Sequence, residues 1–252
     1  MQRVDIATTR FQKIEVWKSP QVVEFRVEQA VHAWRHSQRF LTGLAWDNLI
    51  AATLLHPGGA HKSVLMLGLA GGTTFHALRH LLPDAELTAV DIDGELIELA
   101  RKHMDLDSLG CEIHIADAYQ WIKQCRKRFD VVIDDVYLAG KTDVFRPGTW
   151  DATIMTRLKR LLKPDGMLLT NLVRGAGHRR LQSQVRTLYR EHFPCVKEVR
   201  TPEGLNETLC GAQHIAGAAS LRAWRSHFSA PRDRTLWDQI SVRRLPPLAS
   251  SS

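Results

Sequence analysis

The stretch SVLMLGLAGGTTFHALRHLLPDAELTAVDIDGELIELARKHM, residues 63–104, decides the fold. Two short apolar strands each precede a segment with helical spacing, and a glycine-rich turn follows the first strand. The same alternation continues through CEIHIAD, AYQWIKQCRK and FDVVIDD. Strands and helices that take turns predict parallel strands, joined by right-handed crossovers that place helices on both faces. The sequence therefore predicts a doubly wound, mostly parallel α/β sheet.

The flanking segments extend this unit on both sides. The runs IEVW and QVVEFRV, separated by KSPQ, predict a small N-terminal β-hairpin, and helical spacing runs from about Gln38 to Leu55. Downstream come a helix closed by Pro164-Asp165-Gly166, the strand MLLTNLV, the amphipathic helix LQSQVRTLYREHF and an antiparallel pair, VKEVR with ETLCGAQH. We therefore predict a hairpin segment over 1–37, a Rossmann-like domain over 38–217, and a C-terminal helix with a flexible tail over 218–252.

Composition narrows the class of protein. The 252 residues hold 34 Lys and Arg against 27 Asp and Glu, and no apolar run approaches the ~20 residues of a membrane span. The N-terminal residues lack the apolar segment of a secretory signal, so we expect a cytoplasmic protein. The four cysteines are scattered, and no His or Cys spacing suits a metal, so we predict no metal site.

Four strand-end loops carry the residues that suggest chemistry. In open α/β sheets ligands bind outside the carboxyl ends of the strands. The first loop is Gly68-Leu69-Ala70-Gly71-Gly72, whose backbone can approach a ligand closely. The second, Asp91-Ile92-Asp93, offers a carboxylate for ribose hydroxyls, and Asp93 also suits the cap of the next helix. The third, Ala116-Asp117-Ala118, offers a carboxylate for an adenine amine, and Asp134 and Asp135 end the fourth strand.

Together these loops predict a nucleoside-type cofactor. A dinucleotide would favour GxGxxG, but Gly68, Ala70 and Thr73 hold those places, and Asp117 has no part in that fingerprint. The pattern instead resembles the S-adenosylmethionine-binding fold of class I methyltransferases. More closely, VLMLGLAGGTTFHALRHLLP, AVDIDGELIELARKHM, IHIADAYQWI, FDVVIDD and LLKPDGMLLTNLV resemble the spermidine-synthase-like family over roughly residues 10–215.

The resemblance implies roles for particular residues. Gly68 to Gly72, with Leu69, Ala70 and Gly71 between them, would cradle the methionine part of S-adenosyl-L-methionine. Asp91 and the adjacent Ile92 would lie at the ribose, and Asp117 with Ala118 at the adenine. Gln12 occupies the family's FQ/YQ position near the nucleoside. Asp134 stands at the first aspartate of the aminopropyltransferase catalytic loop.

Two departures from that family favour methyl transfer. Gly71 stands where spermidine synthases carry the aspartate of GGGDGG, and Tyr137 replaces their second catalytic aspartate. A polyamine needs several carboxylates in place of its hydration shell, so these losses disfavour it. We expect a methyltransferase with Asp134 orienting or deprotonating the acceptor and Asp135 and Tyr137 assisting. Aminopropyl transfer from decarboxylated S-adenosylmethionine and a non-catalytic binding module stay open as alternatives.

Charge suggests the partners. The loop from Tyr137 to Gly148 has the composition of a lid, and Lys141 and Arg146 outnumber Asp143 there, which favours a small carboxylate-bearing or peptide-like acceptor over putrescine. Arg174, Arg179, Arg180, Arg186 and Arg190 lie on or before an amphipathic helix, and we interpret them as its solvated face rather than a nucleic-acid site. Exposed strand edges in the N-terminal hairpin favour a homodimer.

Overall fold

The computed structural model describes residues 1–28, 30–57, 63–140 and 143–247. Its strands are β1 (Gln2–Thr8), β2 (Lys13–Lys18), β3 (Val22–Val27), β4 (Ala30–His36), β5 (Ser63–Leu67), β6 (Glu86–Asp91), β7 (Glu112–Ile115), β8 (Phe129–Asp134), β9 (Leu138–Ala139), β10 (Val144–Phe145), β11 (Leu162–Val173), β12 (Cys195–Arg200), β13 (Asn206–Ala212) and β14 (Ser241–Arg244). Its α-helices are α1 (Ala45–Thr53), α2 (Thr73–Leu81), α3 (Gly94–Met104), α4 (Ala118–Gln124), α5 (Ala152–Arg160), α6 (Arg179–His192) and α7 (Pro231–Asp238). Short 3-10 helices cover Leu106–Leu109, Ala176–His178 and Ala218–His227.

An eight-stranded sheet in the order β14-β12-β13-β11-β8-β5-β6-β7 forms the centre of the protein. Strands β11, β8, β5, β6 and β7 are parallel, whereas β13, β12 and β14 add antiparallel pairs, as the sequence predicts for β12 and β13. From β5 the chain adds β6 and β7 on one side of that strand and then crosses over to add β8 on the other side. The strand order therefore reverses between β5 and β8. Ligands of such sheets bind at this crevice, outside the carboxyl ends.

Helices cover both faces of the sheet, which confirms the predicted doubly wound architecture. On one face α4, α5 and α6 pack through Ile122, Leu158 and Val185. On the other face α1, α2 and α3 pack through residues such as Ile50 and Leu78. Every residue of β5 is buried, because both of its faces are covered.

The N-terminal segment forms more structure than the predicted hairpin. Strands β2 and β3 form that hairpin, but they are the middle of a four-stranded antiparallel sheet whose outer strands are β1 and β4. Strand β1 leaves Val4 and Ile6 exposed, so it lacks the alternation of a half-buried strand and was missed. Among the described residues β1 pairs only with β2, and the homodimer stays a prediction.

Two further boundaries differ from the sequence-based expectations. Helix α1 begins at Ala45 rather than near Gln38, because the Asp47 carboxylate accepts hydrogen bonds from the backbone N–H groups of Thr42 and Gly43 and holds them in a turn. The region after residue 218 contains α7 and also β14, which extends the sheet beside β12. Four residues, SVRR, are too few for a periodic signal. The end of the predicted flexible tail, 248–252, lies outside the described residues.

None of the helices in the described ranges is long and apolar enough to cross a membrane.

Candidate active site

A cavity of about 700 Å³ opens at the carboxyl edge of the sheet, where the strand order reverses. The strand-end loops form its floor, and β4, the start of α1 and the 203–206 segment form its walls. Of the residues predicted from sequence, the cavity lining includes Gln12, Gly68, Leu69, Ala70, Asp91, Ile92, Asp117, Ala118, Asp135 and Tyr137. Gly71, Gly72 and Asp134 do not line it.

The glycine loop is shaped by close packing. Gly68 has φ +84°, and a Cβ there would lie 2.4 Å from the backbone oxygen of Asp135, so only glycine lets the first and fourth loops approach each other. A Cβ on Gly71 would lie 2.5 Å from Cβ of Ala33 on β4. Gly71 therefore lets the N-terminal sheet pack on this loop, which differs from the cofactor contact expected for it.

Asp91 braces the glycine loop from within. Its Oδ2 accepts hydrogen bonds from the backbone N–H groups of Leu69 and Ala70, at 2.8 and 2.9 Å, and its Oδ1 accepts one from Asp93. Burial raises the pKa of this carboxyl. Because Oδ1 accepts one bond only, it retains a lone pair for a ligand hydroxyl at the cavity surface.

The third loop places Asp117 at the start of α4 and in the cavity lining, and its contact with an adenine stays a prediction. Asp117 caps α4, its Oδ1 accepting from the backbone N–H of Gln120 at 2.9 Å, and its Oδ2 makes no hydrogen bond within the described residues. Asp93 likewise caps α3 through the N–H of Leu96, which confirms the predicted structural role.

Asp134 lies beneath the cavity rather than on its surface. Its side chain is 0% exposed and accepts three hydrogen bonds: from Arg146 at 2.7 Å, from Trp150 at 2.6 Å and from Tyr119 at 3.2 Å. A carboxylate saturated in this way has no access to an acceptor. The catalytic contact expected of Asp134 therefore does not fit its position.

Arg146 also departs from expectation, because it points into the protein. Its guanidinium donates to Asp134, to the Tyr119 hydroxyl and to the backbone oxygen of Asn171, and it lies 4.5 Å from the centre of the Tyr137 ring. Arg146 therefore adds no positive charge to the cavity side of this loop, contrary to the prediction, and Lys141 lies outside the described residues. The described lid residue that lines the cavity with a charge is Asp143.

Asp135 is the carboxylate that the fourth loop presents to the cavity. Its Oδ1 accepts a 2.8 Å hydrogen bond from the Asn171 side chain, and Oδ2 has no hydrogen-bond partner within the described residues. Burial raises the pKa of Asp135 to about 7, although the Asn171 amide and the Arg146 charge act in the opposite direction. A carboxyl with that pKa exchanges a proton readily near neutral pH.

Tyr137 is held by the last parallel strand. Its hydroxyl donates to the backbone oxygen of Asn171 at 3.1 Å and accepts from the N–H of Val173 at 3.3 Å. Burial raises the pKa of Tyr137, so the hydroxyl stays protonated at neutral pH. Its ring therefore shapes the cavity, while Asp135 remains the group able to accept a proton.

Several cavity residues were missed by sequence reasoning. They are His32 of β4, Trp46 of α1, Asn171 of β11 and Glu203 of the following loop. The strand-end rule, applied to MLLTNLV as it was to the four earlier strands, would have found Asn171. No sequence signal marks the others. The described residues contain no cluster of three His, Cys, Asp or Glu able to hold a metal, and the prediction of no metal stays a prediction.

The sheet order and the helices on both of its faces together define a class I methyltransferase fold. Residues 47–202 match the family described as the spermine/spermidine synthase domain, and the chain belongs to that family. This confirms the resemblance seen in the sequence.

Individual relatives represent two transfer chemistries. The chain is 29% identical over 168 residues to the "eEF1A lysine and N-terminal methyltransferase homolog" of Drosophila melanogaster, covering 64% of this chain and 25% of that protein. A probable spermidine synthase from Corynebacterium glutamicum shares the fold with a TM-score of 0.72 at 17% identity, over 90% of this chain and 87% of the other. The structure of human methyltransferase-like protein 13 in complex with SAH is similar with a TM-score of 0.61 at 23% identity. The match covers 77% of this chain and 93% of the human chain.

The chain spans only a quarter of the length of the Drosophila relative. The Drosophila relative carries methyl transfer in its name, and the human neighbour was solved in complex with SAH.

Proposed function

We propose that the protein is an S-adenosylmethionine-dependent methyltransferase whose acceptor is an amine. The observation that carries this proposal is Asp135, a residue of the cavity lining whose carboxyl has a pKa of about 7 and whose backbone packs against Gly68. An amine is protonated at neutral pH and must lose a proton before its nitrogen can attack. Asp135 has the location and the proton affinity for that task.

The donor fits the residues opposite Asp135. The free Oδ2 of Asp117 suits an adenine amine, the remaining lone pair of Asp91 Oδ1 suits a ribose hydroxyl, and Gly68 leaves room for close approach of the backbone. The cavity volume, about 700 Å³, accommodates a nucleoside ligand together with a small acceptor group. These fits support either S-adenosylmethionine or its decarboxylated form.

The charges of the acceptor wall favour a cation. Six carboxylate residues line the cavity, against three residues with permanent positive charge and one histidine: Asp91, Asp93, Asp117, Asp135, Asp143 and Glu203, against Lys123, Arg157, Arg174 and His32. Burial lowers the pKa of His32, so its ring is neutral at pH 7, and Arg174 donates to the backbone oxygen of Gly204. The cavity lining therefore carries more negative than positive charge. This supports an amine over the carboxylate-bearing acceptor that the lid composition suggested.

Methyl transfer then needs few protein groups. The donor supplies an electrophilic methyl carbon bound to a sulfonium. Asp135 takes a proton from the acceptor ammonium, the freed nitrogen lone pair forms the N–C bond, and the C–S bond breaks with its electron pair going to sulfur. The Asn171 hydrogen bond keeps Asp135 oriented, and the surrounding walls align the acceptor for in-line attack.

Aminopropyl transfer is the second candidate, because the carboxylates of the cavity lining suit a polyamine and the family carries that chemistry in its name. Calorimetric titration with intact and decarboxylated S-adenosylmethionine separates the two. We expect tighter binding of the intact donor and methylated amine in a product assay. Preference for the decarboxylated donor, with an aminopropylated product, would replace the first proposal by the second. Binding of neither would contradict both.

A further inference from the structure

The net positive charge of the chain is concentrated in one segment. Residues 120–192 hold 15 of the 34 Lys and Arg but only 7 of the 27 Asp and Glu. The rest of the chain holds 19 Lys and Arg and 20 Asp and Glu, so it is almost neutral. This segment contains most of α4 and all of α5 and α6, which pack side by side on one face of the sheet. Eleven of the 15 lie on these helices or in the 125–128 loop, so much of the excess charge belongs to this face of the sheet.

Much of that charge has no partner. Six arginines on or beside these helices make no ion pair or hydrogen bond within the described residues: Arg126, Arg128, Arg157, Arg179, Arg180 and Arg190. Elsewhere on the same face Lys127 pairs with Glu86, and Arg160 donates to backbone carbonyls at the end of α4. We name the six unpaired arginines the basic face.

Two of these arginines lie at positions where their charge destabilises helix α6. Arg179 and Arg180 begin α6, whose first turn carries no acidic residue, and both side chains are exposed. Positive charge at a helix N-terminus opposes the helix dipole and destabilises the helix. A solvated face needs polar residues, but it does not need positive charge at the first turn of a helix. The two arginines therefore indicate a negatively charged ligand that offsets their unfavourable interaction with the helix dipole.

The chemistry of the basic face selects the ligand. The exposed large apolar residues of the described chain are Met1, Val4, Ile6, Leu44, Ile92, Ile115, Phe145 and Leu205, and none lies on α4, α5, α6 or the 125–128 loop. A protein interface needs an apolar centre, and a membrane-bound helix inserts apolar side chains. Guanidinium groups on a face without exposed large apolar residues suit phosphates, which they contact in a bidentate way.

We propose that the basic face binds the phosphate backbone of a nucleic acid, independently of the transfer reaction. This replaces the interpretation of Arg179, Arg180 and Arg190 as a solvated face, whereas Arg186 of the same helix pairs with Glu198 and Glu207. Arg157 also lines the active-site cavity, so a bound strand would pass beside the cavity opening. Binding of this kind depends on charge and not on base sequence.

The test is fluorescence anisotropy with a labelled 20-nucleotide single-stranded RNA and a 20-base-pair DNA duplex, each at several salt concentrations. The variant R126E/R128E/R179E/R180E changes exposed residues away from the cavity, and R222E/R232E/R243E/R244E makes the same charge change elsewhere. Circular dichroism and binding of S-adenosylhomocysteine serve as controls for folding.

We expect the unaltered protein to bind with a log–log salt slope of about −4 if all six arginines contact phosphates of a single strand. The basic-face variant should bind roughly tenfold or more weakly with a slope smaller by about 3, while the control variant stays within about twofold. Absence of binding at low salt, or equal weakening in both variants, would overturn the proposal. So would tight binding only to an acidic peptide or to anionic vesicles offered in parallel.

Discussion

Arg146 and Asp134 form a fully buried ion pair, 2.7 Å apart, directly beneath the cavity floor. The pair connects the lid loop to the end of β8, and Trp150 and Tyr119 complete the hydrogen bonds of the carboxylate. Asp134, for which the family resemblance implied a catalytic role, therefore holds Arg146 of the 137–148 loop. Its neighbour, Asp135, takes the cavity-facing position.

Breaking this pair should destabilise the protein strongly. Arg146→Met leaves the Asp134 charge buried without its cation, and we expect the free energy of unfolding to fall by about 3–5 kcal/mol. The double variant R146M/D134N removes both charges and should recover part of that loss. Urea denaturation measures both, and purely additive losses would show that the two residues act independently.

Asp91 should support both the fold of the glycine loop and ligand binding. Asp91→Ala removes the acceptor for three backbone N–H groups, so we expect unfolding to become easier by about 1–3 kcal/mol, in contrast to the simple affinity loss that a ribose contact alone implies. Asp91→Asn keeps one oxygen and should lose less. Thermal melts and calorimetry with S-adenosylhomocysteine check both effects, and a melt unchanged from the parent would contradict the bracing role.

Removing the Asn171 amide should shift the pH dependence of catalysis. Its hydrogen bond stabilises the charged form of Asp135, so Asn171→Ala should raise the pKa of Asp135 above its present value of about 7. The pH range over which activity increases should then lie higher than in the parent protein. The backbone oxygen of residue 171, which binds Tyr137 and Arg146, is kept.

The matched control is Asn206→Ala, another residue of the cavity lining, whose side chain makes one hydrogen bond within the described residues, 3.1 Å to the Asn171 side-chain oxygen. We expect its pH–rate profile to move less than that of Asn171→Ala. Identical profiles for the parent and Asn171→Ala would show that Asn171 does not tune the base.

Asp135 should reduce stability at alkaline pH. Its folded pKa is about 7 whereas an unfolded aspartate titrates near 3.9, so the folded chain retains a proton that the unfolded chain has released. The protein therefore loses stability as pH rises from about 4 to 7. Asp135→Asn removes this penalty and should raise the Tm more at pH 8 than at pH 5. An equal gain at both values would indicate an ordinary pKa.

The sequence was sufficient for the parts of the fold that depend on local periodicity. The apolar runs of β5 to β8 and the caps at Asp93 and Asp117 follow from residues within one element. Which of Asp134 and Asp135 faces the cavity could not be predicted from residues within one element. Neighbouring residues at a strand end point in opposite directions, so only one of the two can face it. Which of them is buried depends on Arg146, twelve residues away in an irregular loop. The acceptor wall likewise combines β4, α1 and residues 203–206, which only tertiary packing brings together.

The central claim is that Asp135 deprotonates an amine for transfer from an S-adenosyl donor. The most direct test compares the unaltered protein with Asp135→Asn, using methyl-labelled S-adenosylmethionine and a panel of lysine-containing peptides, N-terminal amines and putrescine. The account predicts label on an amine nitrogen and a rate roughly 100-fold or more lower in the variant, with S-adenosylhomocysteine affinity nearly unchanged. Equal rates in the two proteins, or label transferred only to oxygen or carboxylate groups, would contradict it.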